Sequence, residues 1–534
     1  MKKTKALYLR TLASPKESFL QIRNFNMDEL KRRGHARPLG HLENYFAITQ
    51  RQKLYASFSM YCELSKPCSS KQLTHALRSV CLDNPILVHQ VLPKNWPKHL
   101  EYYASNEFLA HPTPQHEDMR LLDNVLLSDI LMNEQKEYGT VVAEAIEEFS
   151  RNGGRYSKKI FDIIAGISIP YGDPQKPNWR LLCFPEGNGQ LWRKFIYVTN
   201  HCSSDGRSAA NLMRDLSEKL NHIPETLPDS DVVFNYLSDY EGLSKIPDPI
   251  ENRIDYKPPV SYLLQLLSSS YVRDYLGYYS KGPLVTRIDD VCDDKPYYSH
   301  FLNFSPEQMR TIKQKLKSRL PHCTMTPFLQ ACWLTSMYNS GKIFSKSIKE
   351  WFFDVVVTMN TAQMLPDDPE LRSMYKYGSN VGGTRYNYLI SSFNVGEDKD
   401  AFWSLVDYYQ NVFNSAMEKK HYLYPLGALM LDSLCEKSNL DRVITDDLLE
   451  KPRQGVVFSN VGYFQQEIES EGHYVKDLVF AQSLGSLRHS FVCNSCTTDI
   501  GGMNIVACAA RGSVASEQDW AAVCKLFKER VLAL

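Results

Sequence analysis

One stretch near the middle of the chain limits what it can become. Phe195-Ile-Tyr-Val-Thr-Asn200 is apolar, β-branched and aromatic, the composition of a buried strand. It runs into a polar turn, His201-Cys-Ser-Ser-Asp205-Gly206, and then into Arg207 to Leu220, where Leu212, Leu216 and Leu220 recur every four residues. That spacing predicts an amphipathic helix. Strand, glycine-bearing turn and helix together place a histidine at the end of a core strand, a rigid position from which a side chain can enter a cleft. A second His-x-x-x-Asp run, His473 to Asp477, has Leu478 in place of the glycine and follows the polar tract Glu467 to Gly472. It reads as surface. With 14 histidines in the chain, about one such match arises by chance. Context rather than spacing therefore singles out His201, and the plain alternative is a histidine satisfying a loop hydrogen bond.

At 534 residues the chain is long for one core, which favours two domains. Lys+Arg and Asp+Glu both number 61, so no basic excess supports a nucleic-acid partner. The 13 cysteines are scattered and odd in number, and no secretory apolar region opens the chain, which reads as reduced thiols in an intracellular protein. No uncharged apolar run approaches the ~18 residues a membrane span needs. The first 16 residues carry Lys2, Lys3, Lys5, Arg10 and Lys16 with no acid, consistent with a transit peptide, a membrane-surface segment or a frayed tail.

Residues 27 to 60 read as a helical entry. Ser69 and Ser70 cap a helix over 70–82, with Leu73, Leu77 and Val80 at helical spacing, and a strand is expected over Ile86 to Leu92. Residues 93–118 read as loop, and Val141, Val142, Ile146 and Phe149 predict a helix from about Glu134. Trp179 to Phe184 reads as the hairpin partner of Phe195 to Val198, across the Gly187-Asn-Gly189 turn. The Pro-rich, acidic residues 223–260 begin a long crossover. Beyond it, Ser305-Pro306-Glu307-Gln308 is a helix start with cap, N1 proline and N3 glutamine. Thr326-Pro327 opens another helix, and Phe352 to Val357 reads as a buried strand. Ser379-Asn-Val-Gly382 and Ser459-Asn-Val-Gly462 echo each other. From about Glu517, Trp520, Val523, Phe527, Val531 and Leu534 form an apolar stripe that either closes the core or docks on a membrane.

Other chemistries find little support. Cys493-Asn-Ser-Cys496 has no partner Cys-x-x-Cys and reads better as strand than as zinc or redox site. Gly206-Arg-Ser208-Ala-Ala210 lacks the second glycine of a nucleophile elbow. No phosphate-cradling glycine loop is present, and no metal site is expected.

His201-Cys-Ser-Ser-Asp205-Gly206 resembles the HxxxDG motif of CoA-dependent acyltransferases, the superfamily of chloramphenicol acetyltransferase, plant BAHD enzymes and peptide-synthetase condensation domains. Gly34-His-Ala-Arg37, Arg51-Gln-Lys-Leu-Tyr55, Asn178-Trp-Arg-Leu181, Ile254-Asp-Tyr-Lys-Pro258, Thr326-Pro-Phe328, Tyr377-Gly-Ser-Asn-Val-Gly382, Ser459-Asn-Val-Gly462 and Gly502-Met-Asn504 are similar, in order, to segments of the yeast alcohol O-acetyltransferase family. The resemblance implies an α/β fold of two chloramphenicol-acetyltransferase-like lobes, each a mixed sheet with helices, with a tunnel between them. The expected division is a basic tail over 1–27, a first lobe carrying HxxxDG over 28–222, a crossover over 223–296, and a second lobe over 297–534 ending in an amphipathic helix.

It also implies an acetyl-CoA:alcohol O-acetyltransferase acting on medium or branched alcohols, with sterols as a further substrate class. His201 would be the general base; Asp205 and Gly206 would be structural, and Asn380 and Asn460 would line the tunnel or support the oxyanion. Acetyl-CoA would be a co-substrate, with no permanently bound cofactor. A monomer is expected, on endoplasmic reticulum or lipid-droplet surfaces, with mitochondria as the alternative from the basic N-terminus. One departure stands out. Relatives carry an arginine just before the Leu-Pro of the second-lobe strand, as partner to the motif aspartate; here that position is Ala362. Arg207 or Arg385 could substitute. The same departure leaves open an inactive binding protein on this fold, or a thioesterase or esterase in which His201 activates water.

Overall fold

The computed structural model describes residues 26–112, 117–187, 189–288, 295–345, 349–482, 484 and 488–533. Apart from Asn26 and Met27, the expected basic tail lies outside these residues, as does Leu534 of the terminal stripe. The strand at the heart of the sequence reading runs over Leu191–Thr199. Phe195 and Tyr197 enter one core while Ile196 and Val198 enter another, so both faces are covered. A strand buried on both sides has no reason to alternate, which explains its unbroken apolar run.

Leu191–Thr199 is antiparallel to Trp179–Glu186 on one side and to Phe58–Ser69 on the other. Phe58–Ser69 corrects the sequence reading, which carried helix to residue 60. The helices Met27–Arg33 and His41–Arg51 end earlier, and this strand is buried on both faces over Phe58 to Cys62, so no two-residue period marks its start. The helix Ser70–Asp83 follows directly, capped by Ser69 with Gln72 completing the capping box. The expected strand over 86–92 is shorter: Pro85–Val88 forms a 3₁₀ turn and His89–Leu92 the strand. Residues 93–118 are not simple loop, since His99–Tyr103 and Asn106–Ala110 are short helices.

The second lobe holds a six-stranded sheet in the order Val381–Leu389, Phe352–Asn360, Val456–Tyr463, Phe491–Thr498, Gly502–Ala510, Tyr297–Phe304. Phe352–Asn360, Val456–Tyr463 and Phe491–Thr498 run parallel, and the outer pairings are antiparallel. The mixed character is confined to this sheet; the first lobe's four strands are antiparallel throughout. Pro306–Arg319, Met325–Asn339, Lys399–Glu418 and Glu517–Ala533 supply its helices. In the last of these, Trp520, Val523, Phe527 and Val531 are buried, and Trp333 stacks on the Phe527 ring at 4.1 Å. The terminal stripe closes the core, so this face is not open to a membrane.

Two features join the lobes. Val475–Gln482 leaves the second lobe and completes the first lobe's sheet, pairing with Phe58–Ser69, Gln482 opposite Phe58. The 297–534 segment therefore serves both lobes. It also brings Asp477 of the second His-x-x-x-Asp run onto a strand, where it accepts from Asn504 Nδ2 at 2.7 Å and burial pushes its carboxyl up to about 7. The surface reading of that run does not hold for Asp477. The second join is a buried ion network. Arg51 pairs with Asp441 through Nε at 2.7 Å and Nη2 at 2.6 Å, and with Glu117 through Nη1 at 3.0 Å. Residues 223–296 are more than a linker: Val232–Asn235 pairs with Asn124–Leu126, and Val260–Tyr271 is a helix.

Candidate active site

His201 begins the turn after Leu191–Thr199, and Gly206–Leu220 starts as a helix five residues later. Its imidazole stacks on Phe46 with ring centroids 4.3 Å apart, and Phe58 and Tyr55 flank it at 5.0 and 5.9 Å. Tyr55 donates to Gln482 Oε1 at 3.2 Å, which fixes its ring beside the crossing strand. This apolar cage disfavours the imidazolium. It lowers the His201 pKa to about 4, while backbone groups of His201 itself and Ser204 oppose the shift. Nδ1 is enclosed and without a hydrogen-bond partner among the described residues, in a residue that is half-buried as a whole. A neutral, half-buried imidazole is suited to accept a proton at neutral pH.

Asp205 does different work. It caps the following helix, Oδ1 accepting from the Ser208 N–H at 2.7 Å. Its other oxygen crosses to the second lobe, accepting from Asn360 Nδ2 at 2.8 Å and from the Asn380 backbone N–H at 3.1 Å. No cation forms an ion pair with it among the described residues, although the Arg207 charge acts on it from farther off. Arg385 is committed to Asp354, with Nε at 3.0 Å, and Arg207 forms no ion pair with a described residue. Three neutral donors thus occupy both carboxylate oxygens, and burial still raises the Asp205 pKa. Asn360 is the residue the sequence reading missed. It lies two positions before Ala362, at the end of Phe352–Asn360, and can reach Asp205 because that strand ends against the motif turn.

Gly206 is required for space rather than for an unusual backbone angle. A β-carbon there would lie 2.9 Å from Val461 Cγ2 and 3.1 Å from the Phe480 ring. Asn380 is buried, and its Nδ2 donates to the Tyr375 and Tyr377 carbonyls at 2.9 and 3.3 Å; its backbone, not its amide, faces Asp205. Asn460 is half-buried, donating to Thr326 Oγ1 at 3.2 Å and accepting from the Gly462 N–H at 2.9 Å. Cys493 and Cys496 are buried thiols on one strand, as expected from their run. A His322–Cys323–Asp407 group has donor atoms within 4.8 Å of one another, but none of its members contacts the motif turn.

The alcohol acetyltransferase family profile matches residues 38–531. The chain belongs to that family. Alcohol O-acetyltransferase 2 of Saccharomyces cerevisiae is 38% identical over 517 residues, covering 94% of this chain and 96% of the relative. Alcohol O-acetyltransferase 1 of the same yeast is 39% identical over 508 residues, covering 95% and 97%. Among solved structures, the trichothecene 15-O-acetyltransferase from Fusarium sporotrichioides superposes with a TM-score of 0.61 at 11% identity, over 93% of this chain and 95% of that one. The condensation domain of the monacolin K polyketide synthase gives 0.53 at 11%, over 93% and 97%. At such identities these two establish the two-lobed fold alone. Family membership makes this chain an acyltransferase.

Proposed function

We propose that this alcohol acetyltransferase transfers the acetyl group of acetyl-CoA to medium or branched-chain alcohols, and that His201 is its general base. The observation that carries the reading is the His201 ring itself: neutral, half-buried and caged by Phe46, Tyr55 and Phe58. Nδ1, enclosed beside the backbone, keeps its proton. Nε2 takes the hydroxyl proton as the alcohol oxygen bonds to the thioester carbonyl carbon. The carbonyl electron pair moves to oxygen, an oxyanion that Asn460 would support. When the carbon–sulfur bond breaks, the CoA thiolate takes the proton back from the imidazolium. The aromatic cage suits an apolar alcohol, with sterols a bulkier class to include in the test. The same reading has the protein acting as a monomer at a lipid surface, where such alcohols concentrate.

The test is CoA release from acetyl-CoA, measured with and without alcohols from ethanol through isoamyl alcohol to a sterol. Release that requires alcohol and yields the acetate ester supports the reading. Release independent of alcohol would make His201 a water activator, and none with any alcohol would leave a binding protein.

A further inference from the structure

In a Ser-His-Asp site the imidazolium formed during acyl transfer is paired with a carboxylate. His201 has no such partner among the described residues. Asp205 directs its oxygens to the Ser208 and Asn380 N–H groups and to the Asn360 amide. Burial, opposed by backbone groups of His201 and Ser204, sets the proton affinity of the ring, and no charged side chain contributes. The titratable groups nearest the ring are neutral. Burial pushes the Tyr55 phenol and the adjacent Cys202 thiol well above their usual ranges.

What the imidazole does have is a π face. Phe46 lies against it with 14° between the ring planes and 4.3 Å between centroids. That is inside the ~6 Å over which an aromatic face attracts a cation, and the attraction strengthens where water is excluded. The helix His41–Arg51 keeps the Phe46 ring there because it is wedged between the lobes. Leu42, Tyr45 and Ile48, three residues apart, turn one face to the second-lobe side: Leu42 packs in a cluster with Leu423 and Met430, Tyr45 and Ile48 in one with Leu440 and Ile444. Phe46 and Ala47 face the first-lobe core. The charged and titratable groups of this helix are engaged elsewhere. Glu43 accepts from Arg37 Nη1 and Nη2, both at 2.8 Å, Arg51 pairs with Asp441 and Glu117, and His41 lies against Cys435. Gln50 Nε2 donates to the Ile169 carbonyl at 2.7 Å. A helix fixed on both sides leaves Phe46 little freedom to slide off the imidazole.

We infer that Phe46 is a positioning residue that acts through His201: its π face holds the imidazole plane and stabilises the imidazolium, in the place a carboxylate takes in a Ser-His-Asp site. The inference rests on the general-base reading above. In that reading the alcohol O–H bond breaks, the imidazole takes the proton and a full positive charge, and the charge leaves when the CoA sulfur takes the proton. A π face favours the charged ring over the neutral one, so it lowers the barrier rather than tightening substrate binding.

The test changes the electrons of the Phe46 ring and keeps its shape. Position 46 of the full-length protein is filled with 4-fluoro-, 3,5-difluoro- or 3,4,5-trifluorophenylalanine, with 4-methylphenylalanine as the size control. Then kcat and KM for acetyl-CoA and isoamyl alcohol are measured beside wild type and His201→Ala. With each fluorine kcat should fall, roughly tenfold by the third, while KM holds and the methyl ring stays within about twofold of wild type. The acidic limb of kcat/KM should move to lower pH along the fluorine series, because the cation loses its partner in an unchanged dry cage. Phe46→Ala admits water and should move that limb up toward 6.5. Unchanged melting curves establish the folds. Equal kcat across the fluorine series, or a loss of the same size with the methyl ring, would make Phe46 packing alone and overturn the inference. Wild-type ester formation in folded His201→Ala would instead overturn the general-base reading on which it rests.

Discussion

Asp205 Oδ2 accepts a hydrogen bond from Asn360 Nδ2 at 2.8 Å across the boundary between the two lobes. The motif carboxylate is therefore held by an amide where an arginine was expected. A neutral donor orients the carboxylate but does not pair its charge, and burial raises its pKa. Asn360→Ala leaves Oδ2 with the Asn380 N–H alone and should cost about 1–3 kcal/mol of stability. If the turn then shifts by an ångström, kcat should fall up to about 100-fold with KM less affected. Asn360→Asp sets two carboxylates together and should be worse than Asn360→Ala. Chemical denaturation and steady-state kinetics of the two variants check both orders.

The His201 environment fixes a pH profile. Burial lowers its pKa from 6.5 to about 4, so the base form persists well below neutrality. The acidic limb of kcat/KM should fall below the ordinary histidine range, activity being lost as pH drops toward 4. Stability has the same sign. Between the two values the unfolded chain binds the proton that the folded chain excludes, so this group's contribution weakens as pH falls below 6.5. An acidic limb near 6.5 would show that the cage does not act on the imidazole during turnover.

Gly206→Ala places a methyl 2.9 Å from Val461 Cγ2 and 3.1 Å from the Phe480 ring. Overpacking of this kind costs about 1–3 kcal/mol. Adding Val461→Ala should recover part of that loss in thermal melts, whereas a glycine needed for backbone freedom would not be rescued.

Arg51 and Asp441 are both buried and bonded through two nitrogens. Removing Arg51 strands Asp441 and Glu117, at about 3–5 kcal/mol, whereas removing Asp441 leaves Arg51 paired with Glu117 and should cost less. Arg51→Met with Asp441→Leu should cost less than the two single changes together, as read from a double-mutant cycle.

The local fold around His201 was legible because strand, turn and helix each carry a local signature. The Ser69 and Ser305 caps were legible for the same reason: the donor and its helix are within three residues. Phe58–Ser69 was not, because coverage on both faces erases the alternation that marks a strand. Phe46 and Tyr55 lie far from His201 in sequence and meet it only through the packing of the first lobe, and Asn360 meets Asp205 only where the two lobes pack. Nothing local marks Asn360 as a partner of Asp205, although it stands two residues from the vacant Ala362. The apolar helix 260–271 was hidden within a segment read as crossover, where proline and acid content outweighed its leucines.

The claim that His201 is the base is tested most directly by alcohol-dependent CoA release from His201→Ala beside the wild type, with circular dichroism and melting curves establishing that both are folded. The account predicts ester formation reduced by about 100- to 10,000-fold in the variant. Wild-type rates of ester formation in a well-folded His201→Ala protein would contradict it.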